Sequence, residues 1–250
     1  MTIDFNYLEQ YFRSKEIFSG LRVDAPFIIR VDGNNFHKLA KDLNLKKPFD
    51  KRFHELMIQV VEDFMRNIGF NVVLAYTFSD EINYLYLGNV PFNGRVEKLL
   101  TITASYTASI FANKIEDLTK RSIGFDGRIV KVDGINDIIN YLIWRSAHSY
   151  RNFLNSYAQA YIHEDLTNVK GPEIVSKLYT LGIDINSIDS WEKFGTVVIR
   201  EQYVKEGVNQ LTGSIVHAVR IKLARYSIDF TKKDSQVFIQ NLLLQWSKRE

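Results

Sequence analysis

The 250-residue sequence contains no cysteine. That absence excludes disulfides, zinc–thiolate centres and thiol nucleophiles, and it fits an intracellular chain. Other absences narrow the chemistry further. There is no Gly-x-x-x-x-Gly-Lys phosphate loop, no Gly-x-Gly-x-x-Gly fingerprint and no His-Glu-x-x-His helix. His37, His54, His148, His163 and His217 do not fall at metal-ligand spacing and read as surface or structural residues. No apolar run near the N-terminus is long enough for a signal peptide or a membrane span, so a soluble, cytoplasmic protein with no membrane partner is expected. Repeats, low-complexity tracts and proline-rich linkers are missing as well. The formal charge of +3 is mild; it permits a nucleic-acid partner without demanding one.

What is present can fill a core. Apolar residues make up 46% of the chain and aromatics 13%, enough for one large domain or two small ones. Two stretches organise the rest. Phe27-Ile28-Ile29-Arg30-Val31-Asp32-Gly33 is an apolar, β-branched run that stops at a turn pair, the pattern of a buried strand. Ser79-Asp80-Glu81 lies between the β-rich runs 72–78 and 82–87, which predicts a hairpin with acids at its tip. If both lie in one sheet, Asp32 and Asp80 project from the same edge. Two carboxylates with a backbone carbonyl between them suit hard cations such as magnesium, and paired metals commonly run nucleotidyl transfer.

Helical spacing predicts an N-terminal amphipathic helix over 4–18 that covers one face of the sheet, and a short helix or irregular turn over 34–43. Pro48 with Asp50 behind it predicts the start of a helix through Phe64, which sets Lys46 and Lys47 just before a helix N-terminus. Such a pair is either solvated surface or a seat for phosphate. Helices are also expected over 95–117 and 137–162. Arg95 and Lys98 share a face of the first of these, either exposed to solvent or reaching a triphosphate. On the second, Arg145, Arg151, Asn152 and Asn155 are either buried hydrogen-bonding groups or nucleotide contacts. With a fourth strand at 125–130, the succession is β-α-β-β-α-β, an α+β, ferredoxin-like polymerase-palm arrangement. It is followed by a small helix from Pro172, a strand at 196–199, a return strand over 217–230 after a loop at 205–213, and a terminal helix over 236–246. This divides the chain into a palm-like domain, 1–165, and a C-terminal α/β extension, 166–250. Lys222, Arg225, Lys232, Lys233, Lys248 and Arg249 thicken the positive charge in the extension, as a nucleic-acid surface or a solvated face.

Six motifs occur together in one order. They are Arg30-Val31-Asp32-Gly33-Asn34-Asn35-Phe36-His37, Lys47-Pro48-Phe49-Asp50, Ser79-Asp80-Glu81, Arg95 with Lys98, Phe125-Asp126-Gly127-Arg128 and Tyr141-Leu142-Ile143-Trp144-Arg145. Over about residues 5–160 the chain resembles the tRNA-histidine guanylyltransferases and their Thg1-like relatives, the 3′-to-5′ polymerases. The resemblance implies a two-magnesium nucleotidyltransferase acting on tRNA with ATP and/or GTP, usually as a homotetramer. It places Asp32, Asp80 and Glu81 in catalysis, with Asp32, the Gly33 carbonyl and Asp80 on the metals. Arg30, Asn34, Asn35, Phe36, His37, Lys47, Asp50, Ser79, Arg95 and Lys98 fall at nucleotide- or triphosphate-binding positions. Arg128, Arg145, Arg151, Asn152 and Asn155 fall at tRNA or nucleotide contacts. One departure matters. Members dedicated to histidine tRNA carry His-Ile-Asn-Asn where this chain has Ser149-Tyr150-Arg151-Asn152, which resembles the archaeal or bacterial type that repairs tRNA 5′ ends on a template. Guanylylation of histidine tRNA is the second reading. A nucleotide cyclase on the same palm is a third, and a non-catalytic RNA-binding module a fourth.

Overall fold

The computed structural model describes residues 4–115, 121–164, 169–208 and 210–247. Strand β1, Phe27–Gly33, forms because β-branched residues suit a sheet covered on both faces. Phe27, Ile29 and Val31 are buried on the side of helix α3, Lys51–Asn67, and helix α4, Val96–Lys114. Ile28 points the other way, into a cluster with helices α5, Ile135–Tyr161, and α8, Lys233–Ser247. The remaining strands are β2, Val72–Phe78, β3, Glu81–Tyr86, β4, Phe125–Lys131, β5, Thr196–Val208, and β6, Ile215–Tyr226. All pair antiparallel in one sheet, in the order β4-β1-β3-β2-β5-β6. The first four strands have the predicted ferredoxin-like arrangement, and the β5–β6 hairpin continues the same sheet beyond β2.

That order brings β1 and β3 together at the centre, so the end of β1 meets the start of β3. Asp32 stands directly opposite Glu81. Helix α5 crosses beneath this edge, and its second half packs with helix α6, Gly171–Thr180, around Phe153, Tyr157 and Leu178. A short helix α7, Ser190–Phe194, then leads into β5. The approach of that connection to β2 needs glycine: Gly195 has φ +67°, and a Cβ there would lie 2.5 Å from the Thr77 carbonyl oxygen.

Several expectations require correction. Helix α1 spans Phe5–Arg13 only and buries none of its residues; it does not cover the sheet, both faces of which are already occupied. Helix α3 begins at Lys51, because Asp50 accepts the Arg52 amide at 2.9 Å and is the cap. β5 is longer than predicted, running to Val208, and β6 starts earlier, at Ile215, and stops at Tyr226, so the 205–213 loop shrinks. Of the basic residues of the extension, Lys232 and Lys233 are exposed, whereas two others are paired with acids. Arg225 pairs with Glu62 at 2.5 Å and Glu55 at 3.0 Å, and Lys222 with Glu201 at 3.3 Å. Lys248, Arg249 and the boundary expected at 165/166 lie outside the described residues. Among the described residues, no helix is long and apolar enough to cross a membrane.

Candidate active site

A two-residue turn, Ser79-Asp80, closes the β2–β3 hairpin, with Ser79 in the left-handed region at φ 52°. Glycine or asparagine is the usual occupant of such a position. The serine has a use for its side chain: its hydroxyl donates to Asp80 Oδ1 at 3.1 Å. The Gly33 amide donates to the Asp80 carbonyl at 3.2 Å, which ties the turn to the end of β1. Asp32 and Asp80 thereby share one corner of the sheet, with Asp126 of β4 across from Asp32 on its other side. Burial pushes the Asp80 carboxyl up to about 6, and Asp32 and Glu81 add to the effect. Asp32 is raised as well, by burial first and then by Glu81 and Asp126, with Arg30 opposing.

Glu81, the third acid, is already held. Arg145 of α5 grips it through Nε at 2.9 Å and Nη2 at 2.5 Å, and Asn83 Nδ2 donates to it at 2.8 Å. Tyr141 in turn donates to Asn83 Oδ1 at 2.5 Å. Arg30 Nε lies 4.0 Å from the same carboxylate. A closed polar network therefore underlies the corner, and among the described residues Asp32 and Asp80 form no ion pair with lysine or arginine.

The donor set fits magnesium. No three acidic or imidazole side chains converge on one point among the described residues. Two carboxylates and backbone carbonyls remain, which matches an ion that keeps several waters and is held by one or two carboxylates together with substrate phosphates. Two unneutralised acids pressed together are also the environment that a cation would relieve.

Two cavities open from this corner. A recess of about 150 Å³ lies between Asp32, Asp80, Arg145, His148 and Asn152. A larger cleft of about 680 Å³ shares Ser79 and Asp80 with it and extends past His37, Lys46 and Lys47 to Phe49, His54 and Trp191. The Lys46–Asp50 segment is fixed by Asp50, which is buried and accepts from the Lys46 amide at 2.9 Å and from Arg52. The Arg52 guanidinium beside it holds the Asp50 carboxyl well below the usual carboxylate range.

The other predicted residues scatter. Phe36, the first residue of the short helix α2, Phe36–Asp42, is a core residue packed on Phe53, Phe111 and Phe125 that also borders the cleft. Asn34 and Asn35 are exposed, bonded to each other at 2.8 Å, and border a separate recess of about 490 Å³. Arg128 is exposed on β4 near Asp126, Arg151 approaches His148 Nδ1 at 3.2 Å, and Asn155 is exposed. Ser149, at the position of the departing motif, is buried and donates to the Lys193 carbonyl at 3.0 Å. Arg95 and Lys98 are not brought to the acids within one chain. β3 runs away from the acidic corner, so the helix after it starts at the opposite end of the sheet, where the backbone at Arg95 pairs with that at Arg22 and Lys98 lies over Phe92. His54 and Trp191 were not singled out from the sequence as site residues. Their approach depends on tertiary packing that no local pattern carries.

A family model described as tRNAHis guanylyltransferase, Thg1, matches residues 9–133. A probable tRNA(His) guanylyltransferase of Mus musculus is 31% identical, over 72% of this chain and 62% of that relative. The tRNA(His) guanylyltransferase of Schizosaccharomyces pombe is 28% identical, over 81% of this chain and 82% of its own length. In fold, the chain is similar to a bacterial Thg1-like protein solved in complex with ATP, with a TM-score of 0.77, 22% identity and coverage of 94% and 98% of the two chains. Because the family model spans half of its length, the chain belongs to the Thg1 family of tRNAHis guanylyltransferases, which are nucleotidyltransferases.

Proposed function

We propose that this protein adds nucleotides to the 5′ end of tRNA in the 3′-to-5′ direction, with 5′-end repair on a template as its main task. The observation that carries the reading is the corner where Asp32 and Asp80 meet without a cationic partner among the described residues, at the head of a cleft that holds Lys46, Lys47 and His37. Asp32, Asp80 and the Gly33 carbonyl would hold two magnesium ions, which when bound polarise phosphate oxygens and activate an attacking hydroxyl. The residues of the chain do the remainder. Lys47 and Lys46 draw the triphosphate against the corner, Ser79 fixes the Asp80 carboxylate, and Arg145 keeps the Glu81 charge in place beside both. In the first step an NTP activates the tRNA 5′ end, ATP transferring AMP to a 5′-monophosphate with release of pyrophosphate. The 3′-hydroxyl of the incoming nucleotide then attacks the activated 5′ phosphorus and expels AMP, or pyrophosphate where the end was a triphosphate. The protein is read as a soluble cytoplasmic homotetramer. Exposed apolar residues on α1 and on the β5–β6 arm support the assembly.

A tRNA lacking its first nucleotide, labelled at the 5′ end and supplied with magnesium and one NTP at a time, tests the proposal. The added nucleotide is expected to follow the opposing base in several tRNAs, and Asp32→Ala or Asp80→Ala should abolish addition while sparing tRNA binding. Addition of G to histidine tRNA alone would favour the dedicated guanylyltransferase, which the family supports directly. No addition, with cyclisation of free NTP, would favour the cyclase.

A further inference from the structure

The lining of the large cleft has two chemically different parts. Ser79 and Asp80 with Lys46 and Lys47 make the polar part; Phe49, His54 and Trp191 make the aromatic part. The aromatic part is held by several contacts. His54 is buried, and its Nε2 lies 3.0 Å from Thr196 Oγ1, which is itself 2.6 Å from Ser227 Oγ. The His54 ring stacks on the Trp191 indole at 4.4 Å and 23°. Burial, with Arg225 and Lys51 nearby, lowers the imidazole to about 4, so the ring meets the indole as a neutral plane at physiological pH. The indole Nε1 donates to Asp189 Oδ2 at 3.1 Å, and Phe49 stands edge-on to the ring at 6.4 Å and 81°. Three contacts fix a large, partly exposed aromatic plane in a cleft wall.

We infer that Trp191 is the platform on which the heterocyclic base of the bound nucleoside triphosphate stacks, while the phosphates run to Lys46, Lys47 and Ser79. The inference rests on the proposed nucleotidyl transfer and deepens it, because it assigns a base subsite to α7, outside the matched residues 9–133. Stacking on one plane accepts every base, which suits an enzyme that takes its choice of nucleotide from a template.

Calorimetric titration with magnesium present tests this. The probes are ATP, GTP and inorganic tripolyphosphate, which has the charge and no base; the proteins are wild type, Trp191→Ala and Trp191→Phe, each confirmed folded by its melting curve. Trp191→Ala should weaken ATP and GTP by about tenfold or more, leave tripolyphosphate unchanged, and be largely restored in Trp191→Phe. Equal loss for all three probes, or for none, overturns the base platform, as does Trp191→Phe binding NTP as weakly as Trp191→Ala. Weakened tRNA binding with unchanged NTP binding would reassign the surface to RNA. Should Trp191→Ala fail to fold, the ratio of NTP to tripolyphosphate affinity in Trp191→Leu decides: an unchanged ratio overturns the inference. If wild type binds neither NTP nor tripolyphosphate, the nucleotidyl-transfer reading fails first and takes the inference with it.

Discussion

At the scale of single residues, the acidic corner and the cleft wall titrate in opposite senses. Asp80 is raised from 3.8 to about 6 in the folded chain, so between those values the native state binds more protons, and stability falls as pH rises. His54 is lowered from 6.5 to about 4, so in nearly the same window the unfolded state binds more protons, and stability rises with pH. Each effect amounts to about 3 kcal/mol at most, and in the metal-free protein they largely offset. Replacement of Asp80 by asparagine removes one side of the balance. The unfolding free energy of Asp80→Asn, relative to wild type without divalent cations, should grow by up to about 3 kcal/mol between pH 4 and pH 6. Denaturant titrations across that range check it; a flat difference would mean that the Asp80 carboxyl is not strained.

At the scale of elements, the strands that carry the acids were legible because their signals are short. A β-branched run ending at Asp-Gly and two β-rich runs around Ser79-Asp80 declare themselves within a few residues. The partners of those elements were not legible. Amphipathic spacing predicts that α1 has an apolar face, yet nothing local says what meets it. His54 and Thr196 touch across 142 positions of sequence, and Arg145 reaches Glu81 across 64. The start of α3 is an instructive near miss. Pro48 signals a helix start, but Asp50, two residues on, takes the cap and also anchors the Lys46 amide. Asp50→Ala should therefore do two things. It should destabilise the chain by about 1–2 kcal/mol through the lost cap, seen in denaturant melts. It should also loosen the Lys46–Pro48 segment and weaken tripolyphosphate binding severalfold, where a purely capping role would leave that affinity unchanged.

At the scale of the whole molecule, two surfaces have no covering among the described residues. Helix α1 exposes Phe5, Tyr7, Tyr11 and Phe12. On one face of the β5–β6 arm, Val204 stands opposite Val219 and Val208 opposite Ile215, with all four exposed. An apolar surface of this kind is the mark of an interface. Sedimentation analysis is expected to find a tetramer, and Val204→Lys combined with Val219→Glu should yield smaller species with an intact melting curve. A wild-type monomer at micromolar concentration would refute the assembly and return these surfaces to solvent or to RNA.

The acidic corner joins the end of β1 to the turn before β3, and both strands are bonded to a neighbour on each side. The Gly33 amide ties the turn to the end of β1, away from the outer strands β4 and β6, so repulsion between Asp32 and Asp80 is not released by fraying an edge of the sheet. It is carried by the cooperative unit as a whole, in the class of motions that amide exchange reports as global opening. A ligand that neutralises the corner consequently acts on the melting of the entire sheet. Thermal denaturation is therefore expected to report occupancy of the corner, with a melting temperature that rises on addition of magnesium before any turnover takes place.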